Sequence, residues 1–248
     1  MKCILLAGGF ATRMYPLTKN FPKPLLPING KPIITWLMND LELVESIDEC
    51  IVVTNHLFFN KFKKWVTDLD TNKKVILYDT MQNKPNDSFG AVNCIANVYR
   101  DLNIDDDTLI LAADNVLLFP INNFVNYFMQ INNSCVMCYE ENNSENQKRT
   151  GIIIKDSKDK IVEMIEKPKS YISNIAVPPF YVYKSDLSEE IKNAPLIVRN
   201  ISSPGYLLEE LYTKHDIYAF TMPSKRIDLG TIENYNKYKG SGVKFNES

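Results

Sequence analysis

Along the first half of the chain, short apolar runs alternate with amphipathic stretches. Residues 3–7, 49–54, 74–78, 108–112 and 135–139 are rich in aliphatic side chains and read as buried strands. Between them, 33–44, 58–69, 90–99 and 122–130 carry apolar residues at helical spacing, with Trp36 and Leu37 on the inward side of the first. Such alternation predicts an α/β fold, a three-layer sandwich around a mostly parallel central sheet.

The second half changes rhythm. Residues 151–155 and 161–166 read as a hairpin around 156–159, and 178–183 as a strand. Helical spacing returns at 186–192 and at 206–214, the latter after Ser203-Pro204-Gly205. Short strands at 217–222 and 225–228 precede a closing helix at 232–238, with Thr231 placed to cap it. The very polar stretch 140–150 reads as a surface loop. With no repeat and no long linker, residues 1–248 are expected to form a single domain.

Composition narrows the function. The chain has 248 residues, 45% hydrophobic, with a formal net charge of −2. No global basic field recommends a nucleic-acid partner, so any phosphate affinity rests on local cations. No apolar run approaches a membrane span, and no export signal is apparent. Cys135 and Cys138 fall on opposite faces of one strand, and the chain has only two histidines, His56 and His215. Zinc is therefore not expected, and reduced, buried thiols suit a cytoplasmic protein. Neither histidine has a partner nearby in sequence, so satisfied or solvated roles are expected of both.

The candidate chemistry begins at residues 5–27, Leu-Leu-Ala-Gly-Gly-Phe-Ala-Thr-Arg-Met-Tyr-Pro-Leu-Thr-Lys-Asn-Phe-Pro-Lys-Pro-Leu-Leu-Pro. Leu6 and Ala7 end a strand, and Gly8 and Gly9 open a loop that carries Arg13 and Lys23. Small residues let backbone N–H groups approach an anion, and the two cations supply charge. Gly8-Gly9 alone is an ordinary turn; the longer string suggests a polyphosphate site. Its spacing departs from the G-x-G-x-x-G of dinucleotide-binding folds. Asp114 follows the buried run 109–113, and ligands of α/β sheets gather beyond the carboxyl ends of strands. A carboxylate there suits Mg²⁺, although an Asp beside Asn115 also reads as a turn cap. Asp228 lies in Arg-Ile-Asp-Leu-Gly-Thr-Ile-Glu-Asn-Tyr, residues 226–235. Glu166-Lys167-Pro168 ends a strand, and Asn86-Asp-Ser-Phe-Gly90-Ala-Val opens a helix that Asp87 or Ser88 could cap.

Together these segments resemble the sugar-phosphate nucleotidyltransferases, the nucleotide-sugar pyrophosphorylases, and in particular the short thymidylyl- and uridylyltransferases. The family pattern runs Leu-Ala-Gly-Gly-x-Gly-Thr-Arg-x-x-Pro-Leu-Thr, then Pro-Lys-Pro-Leu-Leu-Pro. This chain follows it with Ala11 in place of the last Gly. Leu-Ala-Ala-Asp-Asn at 111–115 resembles the family's Gly-Asp-Asn, with Ala113 for Gly, and Arg226 stands where an aromatic residue is usual. The sugar-pocket region also departs: Asn174 is present, but Pro179 stands near the usual Gly.

The resemblance implies a nucleotide-diphospho-sugar transferase fold and a reaction joining a nucleoside triphosphate to a sugar 1-phosphate with release of pyrophosphate. It implies Mg²⁺ on Asp114 and Asp228, with Arg13, Lys23 and Asp114 as the catalytic set. Leu6, Ala7, Gly8, Gly9, Gln82 and Gly90 would contact the nucleotide; Glu166, Lys167 and Asn174 would contact the sugar phosphate. A pyrimidine nucleotide (dTTP or UTP) and a glucose-like hexose are favoured. A homo-oligomer is compatible, since relatives are often dimers or tetramers. Two other readings stay open: a transferase acting on a phosphorylated non-sugar, for example with CTP, and a non-catalytic regulatory subunit that binds nucleotide sugars.

Overall fold

The computed structural model describes residues 1–241. In chain order the elements are β1 (Lys2–Leu6), the two-residue strands β2 (Pro27–Ile28) and β3 (Lys31–Pro32), α1 (Ile33–Glu42), β4 (Glu49–Thr54), α2 (Phe59–Thr67), β5 (Lys74–Asp79), α3 (Ala91–Asp101), β6 (Thr108–Ala112), β7 (Asn115–Leu117), α4 (Asn122–Ile131), β8 (Cys135–Glu140), α5 (Ser144–Gln147), β9 (Gly151–Lys155), β10 (Ile161–Glu166), β11 (Ile175–Val177), β12 (Phe180–Tyr183), α6 (Ser188–Asn193), α7 (Gly205–Leu211), β13 (Tyr218–Thr221), β14 (Arg226–Asp228) and α8 (Ile232–Tyr238). They form a mixed α/β protein with two units. The first takes 1–88, 111–123 and the chain from 223; the second takes 89–110 and 124–222.

In the first unit β1, β4 and β5 run parallel. β1 pairs with β4 from Lys2 opposite Glu49 to Leu6 opposite Val53, and β4 pairs with β5 from Glu49 opposite Lys74 onward. Every residue of β4 is buried, which explains its unbroken Cys-Ile-Val-Val core. A second core holds the chain's two ends together. Met14, Leu26, Ile28, Ile33 and Trp36 pack with Val116, Ile227, Leu229 and Tyr235. Two hydrogen bonds fix it: Trp36 Nε1 donates to Ile28 O at 3.2 Å, and the Tyr235 hydroxyl donates to Pro27 O at 2.8 Å. Thr231 caps α8 by accepting from Asn234 N at 3.1 Å.

In the second unit β9 and β10 form the expected hairpin, antiparallel from Gly151 opposite Glu166. β8 pairs antiparallel with β11 and β12 and parallel with β13. Short connections leave only antiparallel pairing open to neighbours such as β9 and β10.

The structure revises three local readings. The strand expected at 178–183 begins only at Phe180, as β12, because Pro178 and Pro179 bring no N–H to a ladder, and a further strand, β11, precedes the two prolines. The polar stretch 140–150 is not all loop: Asn143 caps the short α5, and Gln147 is buried, its amide donating to Glu141 O at 2.6 Å. Gly90 itself is the N-cap of α3, and neither Asp87 nor Ser88 bonds that helix end. Among the described residues no helix is long and apolar enough to cross a membrane. All five cysteines are free and four are buried; burial raises the Cys94 thiol to about 11.

Candidate active site

In the first unit the turn after β1 is held from both sides. Ala7 N donates to Val53 O at 2.9 Å, and Ala113 N donates to Leu6 O at 3.1 Å. Gly8 lies against the end of β4, where the buried Asn55 donates from Nδ2 to Gly8 O at 2.9 Å. Gly9 is exposed, with open space where a side chain would sit. Asn55 also caps the next turn, accepting from Phe58 N. Its place just past an all-buried strand was the signal that could have singled it out.

Ala11 then turns the chain in the left-handed region, φ 46 and ψ 45, where a non-glycine residue costs about 1–2 kcal/mol. Thr18 Oγ1 and Met14 N both donate to Ala11 O, and Met14 is buried in the second core. These anchors hold Arg13 on a 3-10 turn with its side chain in solvent. Arg13 makes no ion pair with any described residue, so its charge is available to a ligand.

Lys23 behaves differently. Only 6% of its side chain is exposed, and Nζ lies 2.6 Å from Asp114 Oδ2. A buried ammonium requires such a partner. Asp114 occupies a two-residue turn between β6 and β7, crowded by protein atoms but with 35% of its side chain open. Burial pushes its pKa up; Lys23, with help from the Arg226 charge, outweighs that and holds the carboxyl below its usual value. Ala113 is fully buried and has no positive φ, so its methyl group strains nothing in the backbone.

β7 explains how Asp228 arrives. It pairs antiparallel with β14, with Asp228 opposite Asn115 and Arg226 opposite Leu117. Asp228 therefore lies across the ladder from Asn115, the residue next to Asp114. Asn115 ties Asp114 to Arg226: Nδ2 donates to Asp114 Oδ1 at 2.8 Å, and Oδ1 accepts from Arg226 Nη1. Arg226 Nη1 also lies 3.4 Å from Asp228 Oδ2. Two carboxylates, one in the turn before β7 and one on β14, completed by phosphate oxygens, are a donor set that Mg²⁺ accepts. Among the described residues no third carboxylate, imidazole or thiol completes a metal cage.

Gln82, also in the first unit, is 5% exposed, and its Nε2 is buried without a partner. Its carbonyl accepts from His56 N at 2.9 Å. His56 is paired with Asp79 at 2.6 Å, and His215 in the second unit with Glu190 at 2.6 Å, so both histidines are satisfied.

The second unit carries another cluster. Glu166 is 4% exposed at the end of β10, and Ser203 Oγ donates to its Oε1 at 2.7 Å. Burial raises its pKa, against the opposing pull of Ser203 and Lys167. Lys167 follows in the left-handed region, φ 53, with N donating to Thr150 O. Its Nζ lies 3.9 Å from Glu166 Oε1 and 5.9 Å from the Tyr206 ring centre. Arg199 lies over the same ring at 4.8 Å, forks onto Glu209 and donates to Glu166 O at 3.2 Å. Nothing in the sequence distinguished Arg199. Gly90 is tied to this segment: its φ is +84, and an added Cβ would lie 2.3 Å from Ile201 O. Asn174 bonds elsewhere, through Nδ2 to Asn142 and through its carbonyl to Glu141 N.

Residues 2–240 match the nucleotidyl transferase family. The chain belongs to that family. Among other family members and neighbours, it is 29% identical to the glucose-1-phosphate thymidylyltransferase of Mycolicibacterium smegmatis over 199 residues, covering 78% of this chain and 66% of that protein. It is 23% identical to mannose-1-phosphate guanylyltransferase 1 of Arabidopsis thaliana over 241 residues, covering 95% of this chain and 63% of the other. The crystal structure of a UDP-glucose pyrophosphorylase complexed with UDP-glucose superposes with a TM-score of 0.79 at 22% identity, covering 97% of each chain, a likeness of fold. This nucleotidyl transferase chain spans between 51% and 63% of the length of the first curated relatives it matches.

Proposed function

We propose that the chain, as one domain over 1–248, is a sugar-1-phosphate nucleotidyltransferase. It would transfer a nucleotidyl group from a nucleoside triphosphate to the phosphate of a hexose 1-phosphate and release pyrophosphate. The observation that carries this reading is the joined set Lys23, Asp114 and Asp228 beyond the ends of β1 and β6. A binding module has no need of a buried lysine poised on a carboxylate, with a second carboxylate across the ladder.

An acceptor phosphate dianion is already a nucleophile, so no general base is required. The difficulty is that two anions must meet, and the chain's part is to position and neutralise them. Arg13, free in solvent, suits the departing pyrophosphate. Lys23 suits the α-phosphate, trading its carboxylate partner for a phosphate oxygen. In the second unit Lys167 suits the acceptor phosphate, and the buried Glu166 carboxyl suits an acceptor hydroxyl. Asp114 and Asp228 would hold Mg²⁺, which supplies charge neutralisation between phosphate oxygens.

The base and the sugar are finer matters. Gln82 presents a buried amide N–H without an acceptor, which fits a carbonyl oxygen of a pyrimidine such as dTTP or UTP. A glucose-like hexose is our preferred acceptor, and the free thiols suit a reducing cytoplasm where nucleoside triphosphates are abundant. The test is pyrophosphate release over a grid of dTTP, UTP, CTP, GTP and ATP against glucose, mannose and N-acetylglucosamine 1-phosphates with Mg²⁺. Highest release with dTTP or UTP and glucose 1-phosphate is expected. Release only with GTP would overturn the pyrimidine preference, and no release from any pair would overturn the enzyme. Arg13→Ala should weaken pyrophosphate binding at least tenfold more than acceptor binding, about 1.4 kcal/mol of selective loss. Competition assays with pyrophosphate and acceptor measure both, and equal losses would remove Arg13 from that role.

A further inference from the structure

Each carboxylate oxygen of Asp114 and Asp228 already faces one of the chain's own donors. Asp114 Oδ2 takes Lys23 Nζ at 2.6 Å, and Oδ1 takes Asn115 Nδ2 at 2.8 Å. Asp228 Oδ1 takes Gly230 N at 2.8 Å, and Oδ2 faces Arg226 Nη1 at 3.4 Å. All four carboxylate oxygens thus face an N–H, and the two negative charges are balanced by two positive ones. Lys23 is the cation proposed to leave for a phosphate. Arg226 is different: only 12% of its side chain is exposed, and it is tied to Asn115, the residue that also bonds Asp114. Its guanidinium cannot lose its proton, so its charge is permanent.

We propose that Arg226 is a resident counter-cation for the Asp114–Asp228 pair, which keeps a divalent ion off these carboxylates until phosphate oxygens accompany it. This rests on the reading of the two aspartates as a phosphate-linked metal site. A fixed positive charge beside Asp228 repels an incoming dication and competes for the same oxygen. With no third protein ligand among the described residues, two compensated carboxylates offer a bare ion little. Triphosphate oxygens change the balance, because they bring both ligands and negative charge. Arg226 acts through Asp228 and Asn115, so its role is positional and electrostatic.

The test is Mn²⁺ titration of the nucleotide-free protein, with free ion counted by electron paramagnetic resonance. Arg226→Met should bind Mn²⁺ about tenfold or more tightly than the unaltered chain, the fold-change expected on removing a close, partly buried like charge. Arg226→Lys should stay within about threefold of the parent, since it keeps the charge. Adding Asp228→Asn to Arg226→Met should abolish the gain. Should Arg226→Met not fold, Arg226→Gln takes its place. Equal affinity in the parent and the neutral variant overturns the proposal, as does a gain that survives Asp228→Asn. The titration needs no turnover. If the parent releases no pyrophosphate while the neutral variant gains affinity, the enzyme reading fails alone. If pyrophosphate is released and no gain appears, Arg226 is not the counter-cation.

Discussion

Lys23→Ala is expected to lower turnover by about 10²–10³-fold, the loss that follows removal of one preorganised charge at a developing anion. The same substitution strips Asp114 of the partner 2.6 Å away. Burial then acts on Asp114 with weaker opposition, and its pKa rises. The sign in the parent is clear. A carboxyl held below its usual value contributes stability above the unfolded Asp pKa and loses it as pH falls through the lowered native value. In Lys23→Ala that contribution shrinks, and the acid-side fall in thermal midpoint should begin at a higher pH. The cost at neutral pH is modest, about 1–2 kcal/mol, because a third of the Asp114 side chain is open to water. Lys23→Met, which keeps most of the stem but not the charge, should show the same acid-side shift and the same loss of turnover, because the partner of Asp114 is gone in both. Steady-state rates with saturating Mg²⁺ and melting curves from neutral pH to about pH 3 measure both. Near-parent turnover in either variant would remove Lys23 from the reaction.

Much of this site was legible because it sits where strands end. The apolar run at 108–112 placed Asp114 at the tip of a buried strand, and the Gly8-Gly9 turn followed another. Periodicity sufficed there, since a strand buried on both faces has one composition and one length scale. That Asp228 lies opposite Asn115, next to Asp114, was legible only by resemblance. It depends on β7, three residues long and paired with a strand more than a hundred residues later. A strand that short has no period to detect. Lys23 showed another limit: a lysine between two prolines reads as solvated, yet its ammonium is buried, because the partner that makes burial tolerable is 91 residues away. Asn174, expected on the acceptor, is bonded to Asn142 in the β8–β9 connection. Gly90 keeps a glycine's conformation against Ile201, a local reason that needs no ligand. Arg199 gave no signal, because its part is defined by Glu166, Tyr206 and Glu209 around it.

Gly205→Ala should be strongly disruptive in the second unit. An added Cβ would lie 2.0 Å from Glu166 Oε2 and 2.5 Å from its carboxyl carbon. A flexible side chain could ordinarily swing aside, but this one has no room. Space toward Gly151 is short, since a Cβ there would meet Oε2 at 3.0 Å, and Ser203 holds Oε1. Glu166 is 4% exposed, so moving the carboxylate means burying it without its hydrogen bond or forcing α7 away from β10. Overpacking of this kind costs about 2–3 kcal/mol. The chemistry should suffer with it. Lys167, proposed for the acceptor phosphate, is the next residue, and Arg199 is bonded to the Glu166 carbonyl, so a shift of Glu166 displaces both. Urea unfolding should show the loss of stability, and the KM for the sugar phosphate should rise more than the KM for the nucleotide. Glu166→Ala removes the obstacle. In that background Gly205→Ala should cost less than about 1 kcal/mol, leaving a coupling of about 2 kcal/mol between the two positions. Additive costs would mean that the clash is relieved some other way, and the tight packing of Gly205 on Glu166 would not then be what shapes the acceptor site.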